Sequence, residues 1–234
     1  MLQKPTYPVQ ERTKQIGQFH TAKSVTQTAE TLIVMLPGAM MTPQHYVDAG
    51  FPSALTQSSC AADLHLVEFD TGQISIAAAL AITLATLRED ILQPARQRGY
   101  RRIVLGGISL GGAATLRYAS EHANELDGLC LLAPYPGSRL TTGAICAAGG
   151  LADWQPSAEQ LRDPEFRVWQ WIKQDAAKSA VYLGYGQQDR FADGLEIMAA
   201  CLPCAKVHTE PGGHDWPTWR SLWDNFLLSG LGND

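Results

Sequence analysis

The chain has 234 residues, and its 18 Lys and Arg against 23 Asp and Glu give a formal charge of −5. Its hydrophobic content of 45% allows a substantial core, which excludes a mainly disordered protein. The acidic balance argues against a nucleic-acid partner, and the absence of any window of 18 uncharged apolar residues argues against a membrane span.

Segments with strand-like and helix-like patterns alternate from about residue 31 onward. The first, residues 32–36, is a continuous apolar run stopped by Pro37 and Gly38, which is typical of a strand buried on both faces. Further strands are predicted at residues 64–69, 101–108, 129–132, 180–185 and 205–209. Helices are predicted at residues 74–98, 110–123, 159–174, 194–200 and 216–228. This alternation favours a mostly parallel sheet with helices on both faces, and residues 15–22 could add an antiparallel edge strand.

Residues 136–178 interrupt the alternation. Glycines at 137, 143, 149 and 150 predict an irregular loop ahead of the helix at 159–174. The loop has room for a short lid within residues 136–158 but not for a large cap. Since no linker-like segment or internal repeat is present, we expect a single domain spanning residues 1–234.

The five cysteines are scattered and do not form the framework of a secreted disulfide-rich protein. Residues 1–14 are polar and show no signal-peptide pattern, so a cytoplasmic location is expected. Cys201 and Cys204 form a CxxC, but after a predicted helix rather than at the helix start that lowers a thiol pKa. No second ligand pair for zinc accompanies them. We therefore expect structural cysteines at that turn and no metal site.

The strongest motif is Gly107-Ile108-Ser109-Leu110-Gly111, a GxSxG between a predicted strand and a predicted helix. A strand that turns directly into a helix holds its serine in a strained conformation and requires small residues two positions to either side. The start of the helix also directs free N–H groups at the serine oxygen. Ser109 is therefore the candidate nucleophile.

A serine nucleophile needs a base, and the base needs an orienting carboxylate. His214, in a loop directly after the last predicted strand, is the candidate base. Its one rival is His45, which we expect to lie on a helix surface, although it could instead contact a polar substrate. Asp189 follows the strand at 180–185 and is the candidate carboxylate. Asp193, expected to cap a helix, and Asp215, adjacent to the base, are the alternatives.

The tetrahedral intermediate needs two backbone N–H donors. We expect one from Leu110 and the other from the loop after the first strand, with Ala39 preferred and Met40 as the alternative. An apolar site lining is expected from Met40, Met41, Tyr135 and Trp216, with Trp154 possible from the lid. The alternative is that Met40, Met41 and Trp154 only pack.

These features resemble the α/β-hydrolase superfamily over about residues 31–228. Ser109, Asp189 and His214 match its triad in chain order and strand context. The segment from Gly107 to Gly112 looks like the elbow of small carboxylesterases and thioesterases. Residues 212–216 are similar to the histidine loop of esterase-D-like and siderophore-esterase-like members. The chain departs at Pro37, because many members carry His-Gly where it has Pro-Gly.

The resemblance implies a three-layer α/β-hydrolase fold with a short or absent cap. It also implies a serine hydrolase that cleaves carboxylic esters or thioesters of small to medium acyl groups through an acyl-enzyme, without a cofactor. The expected partner is therefore a small-molecule ester or thioester. An acyltransferase or a peptidase could use the same triad, and a non-catalytic binding protein could keep the fold.

Overall fold

A computed structural model describes residues 29–68, 84–176, 179–202 and 206–230. The predicted edge strand at 15–22, the first part of the helix predicted at 74–98, and Cys204 lie outside these residues. The strands are Thr31–Leu36 (β1), Ala62–Leu66 (β2), Arg102–Ile108 (β3), Gly128–Leu132 (β4), Val181–Gly186 (β5) and Lys206–Glu210 (β6). The α-helices are Pro43–Asp48 (α1), Phe51–Gln57 (α2), Gln93–Gln97 (α3), Leu110–His122 (α4), Arg139–Ala147 (α5), Pro164–Gln174 (α6), Ala192–Ala200 (α7) and Trp216–Leu228 (α8).

The six strands form one sheet in the order β2-β1-β3-β4-β5-β6, and all five ladders between them are parallel. This confirms the predicted mostly parallel sheet. The chain runs outward from β1 to β2 and then returns to place β3 on the other side of β1. The loops after β1 and β3 therefore leave the sheet at the point where its order reverses, which is where ligands bind in open parallel sheets.

Successive residues of β1 face opposite sides of the sheet, as the pleat requires. Ile33 and Met35 belong to one buried cluster, whereas Leu32, Val34 and Leu36 belong to another. Helices α2, α6 and α8 cover the first cluster, and a π-helical segment at Leu87–Leu92 with part of α4 covers the second. The expected arrangement of helices on both faces of the sheet is therefore confirmed. No helix among the described residues is long and apolar enough to cross a membrane.

The interval 136–178 differs from its prediction in two ways. The expected irregular loop contains the nine-residue helix α5, which begins after Ser138, whose side chain accepts a hydrogen bond from the Thr141 N–H. The helix predicted at 159–174 is also broken, and α6 begins only at Pro164. Asp163 is extended, with ψ of 128°, because the proline ring disfavours helical geometry in the residue before it.

Two further predictions concern helix ends. The helix predicted to end at Gly99 does end there, since α3 finishes at Gln97 and Gly99 has φ of +100°. Cys201, of the CxxC, is the C-cap of α7. Burial raises the pKa of the Cys201 thiol, which is the opposite of what a redox-active cysteine needs.

Candidate active site

Ser109 lies at the junction of β3 and α4 in an unusual backbone conformation, with φ of 53° and ψ of −114°. A positive φ is costly for a residue with a Cβ, so it must be imposed by its surroundings. Two hydrogen bonds hold it: the Ser109 N–H donates to the Leu132 carbonyl (3.1 Å), and the Tyr135 N–H donates to the Ser109 carbonyl (2.9 Å). The strand-to-helix elbow is thus fixed by the end of β4 beside it.

The glycines on either side of Ser109 have no room for a side chain. A Cβ on Gly111 would lie 2.1 Å from the Leu36 carbonyl oxygen, and one on Gly107 would lie 2.4 Å from the carbonyl carbon of Gly111. Both contacts are with backbone, which cannot move aside easily. The motif indicated that small residues are required around the serine. Close backbone packing at Gly107 and Gly111 is the reason for this requirement.

We expect Gly111→Ala to lower the free energy of unfolding by about 3 kcal/mol, because the new methyl group collides with the end of β1. Urea denaturation followed by circular dichroism measures this change. Gly143→Ala is the matched control, since nothing lies within 4 Å of the added methyl group in helix α5. It should raise stability by about 0.5–1 kcal/mol. Equal stability of the two variants would contradict the packing argument.

Loops after three strands bring Ser109, His214 and Asp189 into one chain of contacts. His214 Nε2 lies 2.9 Å from Ser109 Oγ, and His214 Nδ1 lies 2.7 Å from Asp189 Oδ2. A carboxylate only accepts hydrogen bonds, so Nδ1 carries the proton. In the neutral ring Nε2 is then free to accept a proton from the serine hydroxyl. The arrangement can therefore activate Ser109 as a nucleophile.

Asp189 is held in a fully buried position, with 0% of its side chain exposed. Its second carboxylate oxygen, Oδ1, accepts a hydrogen bond from the Phe191 N–H at 2.8 Å. One oxygen is thus committed to the backbone and the other to the imidazole. This fixes the carboxylate plane relative to His214.

The two alternative acids, Asp193 and Asp215, lie at the starts of helices. Helix α7 begins at Ala192, so Asp193 lies in its first turn and is not the N-cap that we expected. Asp215 is the N-cap of α8 and accepts hydrogen bonds from the Thr218 hydroxyl (2.8 Å) and the Thr218 N–H (3.1 Å). These bonds hold the pKa of the Asp215 carboxyl below its usual range. The carboxylate hydrogen-bonded to the imidazole is that of Asp189.

The imidazole of His214 lies between two aromatic rings that sequence analysis did not assign to the site. The Phe191 and Trp219 rings are 5.1 and 5.0 Å from it, each at 89° to its plane. With only 9% of the His214 side chain exposed, these rings restrict both its rotation and its access to water. Two features of the sequence pointed to these rings. Phe191 lies two residues after Asp189, and Trp219 lies in the first turn of α8, shortly after His214.

The expected N–H donors occupy the two loops that meet at the elbow. Leu110 is the first residue of α4, and Ala39 and Met40 form a turn closed by the Met41 N–H on the Gly38 carbonyl (3.2 Å). Met40 has φ of 57°, as the third position of a type II turn requires. Across the parts of the chain that the structure describes, none of these three amides donates to a protein acceptor. They remain free for a substrate oxygen.

A pocket of about 80 Å³ lies beside the elbow, and of the four predicted lining residues it includes Tyr135. Met40 is 88% exposed on its turn, Met41 packs at the edge of the core, and the Trp216 ring packs against neighbouring aromatic rings. These three do not line this pocket. Trp154 is buried and stacked on Phe166, as expected of a packing residue.

The rival histidine, His45, is exposed on α1, as expected. Its Nδ1 accepts a hydrogen bond from the Thr42 N–H at 3.0 Å, so it caps the start of its own helix. Among the described residues, no group of three His, Cys, Asp or Glu side chains is arranged to hold a metal ion.

Comparison with known proteins gives one family. The model of the family described as "Alpha/beta hydrolase family" matches residues 33–234. No curated protein sequence matches the chain.

Several solved structures are similar in fold. Est1E from Butyrivibrio proteoclasticus is 15% identical with a TM-score of 0.61, covering 87% of this chain and 89% of that one. A fluorophosphonate-binding serine hydrolase of Staphylococcus aureus is 14% identical with a TM-score of 0.57, covering 91% and 87%. A thioesterase domain from the curacin biosynthetic pathway is 12% identical with a TM-score of 0.55, covering 87% and 93%.

Proposed function

Because the chain belongs to the alpha/beta hydrolase family, we propose that it is a serine hydrolase that cleaves carboxylic esters or thioesters of small to medium acyl groups. The observation that carries the proposal is the continuous set of contacts from Ser109 through His214 to Asp189. The names of two of the structural relatives, a serine hydrolase and a thioesterase domain, support it.

In the first half of the reaction, Ser109 Oγ attacks the acyl carbon and its proton passes to His214 Nε2. Asp189 accepts the hydrogen bond from Nδ1–H throughout, so it stabilises the imidazolium without becoming protonated. The N–H groups of Leu110 and Ala39, with Met40 as the alternative to Ala39, stabilise the oxyanion. His214 then returns the proton to the departing alcohol or thiol, which leaves an acyl group on the serine.

In the second half, a water molecule takes the place of the leaving group. His214 Nε2 removes a proton from this water, whose oxygen attacks the acyl carbon. The second tetrahedral intermediate uses the same N–H donors and collapses when His214 protonates Ser109 Oγ. The products are the free carboxylic acid and the original enzyme.

A fluorophosphonate probe tests the proposal directly, because it reacts covalently with an activated serine. We expect labelling of the native protein, with the adduct mapped to the peptide containing Ser109 by mass spectrometry. Turnover of a panel of acyl esters and thioesters should accompany it. A native protein that is neither labelled nor active on this panel would instead favour a binding protein. Addition of alcohol, thiol and amine acceptors distinguishes an acyltransferase, and a peptide panel distinguishes a peptidase.

The turn that carries Ala39 and Met40 is held at both ends by helix α1. The Tyr46 hydroxyl donates to the Leu36 carbonyl (2.8 Å) before the turn, and His45 accepts from the Thr42 N–H after it. His45→Ala removes the second restraint. We expect kcat for ester hydrolysis to fall about tenfold with little change in KM, since loss of one oxyanion donor costs about 10²–10³ in kcat.

Steady-state kinetics on one ester measures this effect, and His45→Gln is the matched variant. Glutamine at this position of a helix also accepts from the N-cap N–H, so it should restore most of kcat. If alanine and glutamine gave the same kcat, His45 would have no role in positioning the turn.

A further inference from the structure

The pocket beside the elbow is lined in part by two neighbours of the proposed nucleophile. Leu110, the residue after Ser109, forms one part of its wall. Tyr135 forms another part, and its N–H donates to the Ser109 carbonyl. Both residues adjoin the backbone of Ser109, which places the pocket beside the elbow.

From the serine, the pocket follows one face of helix α4. Leu110, Ala113 and Arg117 line it and are spaced three and four residues apart, as neighbours on one helix face are. Seven residues of α-helix span about 10 Å. This part of the lining therefore extends along α4 from the residue next to Ser109.

The opposite wall comes from helix α6, with Val168 and Trp169, and Met198 of α7 adds to the lining. The Trp169 indole N–H donates to the Pro136 carbonyl at 2.8 Å, which ties this wall to the loop after β4. Burial raises the pKa of the Tyr135 phenol, which is consistent with an apolar surrounding. Apart from two charged residues, the lining consists of apolar side chains, Tyr135 and a glycine.

The two charged residues already have partners outside the pocket. The Arg117 guanidinium donates to Glu121, one turn further along α4. Glu165 accepts hydrogen bonds from the Ser138 N–H (2.8 Å) and the Thr141 hydroxyl (2.7 Å) at the start of α5. The charge of Arg117 is therefore paired, whereas the Glu165 carboxylate keeps its negative charge and disfavours an anionic acyl group. The apolar remainder of the lining would accommodate an aliphatic chain.

The volume limits the length of the chain. The pocket holds about 80 Å³, roughly half of the 150 Å³ apolar cavity that is known to accommodate benzene. Half of benzene corresponds to three carbon atoms, which is the alkyl part of a four-carbon acyl group.

We propose that this pocket binds the acyl chain of the substrate, and that it selects aliphatic acyl groups of about four carbons. The inference rests on the proposed serine hydrolase function and identifies where the acyl part of the substrate binds. Ala113 of α4 and Val168 of α6 both line the pocket, so we expect their size to set the usable length.

The experiment measures kcat/KM for p-nitrophenyl acetate, butyrate, hexanoate and octanoate, so that only the acyl chain changes. Each buried methylene contributes about fourfold, so the wild-type protein should prefer butyrate to acetate by about 15-fold and lose rate beyond it. Ala113→Leu fills the pocket and should lower the butyrate-to-acetate ratio by about tenfold. Val168→Ala enlarges it and should raise the hexanoate-to-butyrate ratio by about fourfold.

Ala147→Leu is the matched control, because Ala147 is exposed on α5 and does not line the pocket. Its ratios should equal those of the wild-type protein. A second series of acetate esters with lengthening alcohols should show no change of profile in any variant.

Two negative results are distinguishable. If the wild-type protein is labelled by a fluorophosphonate and hydrolyses the esters, but the pocket variants leave all acyl ratios unchanged, the acyl assignment is overturned while the hydrolase remains. A profile that shifts in the alcohol series alone overturns it as well. Absence of both labelling and turnover in the wild-type protein overturns the proposed function, and this inference with it.

Discussion

Ser109→Ala is expected to lower kcat for ester hydrolysis by about 10⁴-fold or more, because no other group at the junction of β3 and α4 replaces the hydroxyl as nucleophile. The loss should not be complete. The free N–H groups of Leu110 and the 38–41 turn remain in place, and such donors alone retain some catalysis over water. Steady-state assays on an activated ester measure the fall in kcat, and fluorophosphonate labelling should be lost.

The fold of the Ser109→Ala protein should be unaffected, since alanine keeps the Cβ and therefore the same positive φ. A matched control is Ser120→Ala, which removes a serine from the same helix, where its hydroxyl donates to the Arg117 carbonyl. Its kcat should equal that of the wild-type protein. Undiminished turnover in Ser109→Ala would show that the elbow serine is not the nucleophile.

Asp189→Asn is expected to lower kcat by about 10⁴-fold, and the hydrogen bonds give the reason. Oδ1 of Asp189 accepts from the Phe191 N–H, so the amide oxygen of asparagine must take that position. The NH₂ group then faces His214 Nδ1 and donates to it. The ring is forced into the other tautomer, with its proton on Nε2, where it can no longer accept the serine proton.

The matched control is Asp193→Asn, since Asp193 also follows β5 in the chain and was an alternative acid. It is exposed in the first turn of α7, so we expect its kcat to stay within about twofold of wild type. Stability measured by thermal unfolding should change little in either protein. Equal losses of kcat in the two variants would remove the argument for Asp189.

The relative positions of the three reacting side chains could be predicted from the sequence for a specific physical reason. Each lies within four residues of the end of a strand, and the carboxyl ends of parallel strands meet at one edge of a sheet. Knowing that strands alternate with helices was enough to place Ser109, Asp189 and His214 at that edge, without knowing the order of the strands. The distance between the three residues along the chain did not matter for this prediction.

The surroundings of the imidazole were not accessible in the same way. The edge-on contacts of Phe191 and Trp219 depend on how α8 packs against the loop after β5, which no local pattern encodes. Helix α5 was missed because glycines outweighed the Ser138 cap in the sequence pattern, and tertiary contacts to Glu165 stabilise it. The pocket is likewise a product of packing between helices distant in sequence.

The position of β6 at the outer end of the described sheet affects how easily the site is disrupted. This strand carries the loop of His214, it pairs only with β5 in the described sheet, and the base lies 105 residues along the chain from the serine. During synthesis, Ser109 and Asp189 emerge before His214. The same outer position makes the base the component that local opening of the sheet releases first. We therefore expect local opening of β6 to abolish activity while the central strands remain intact.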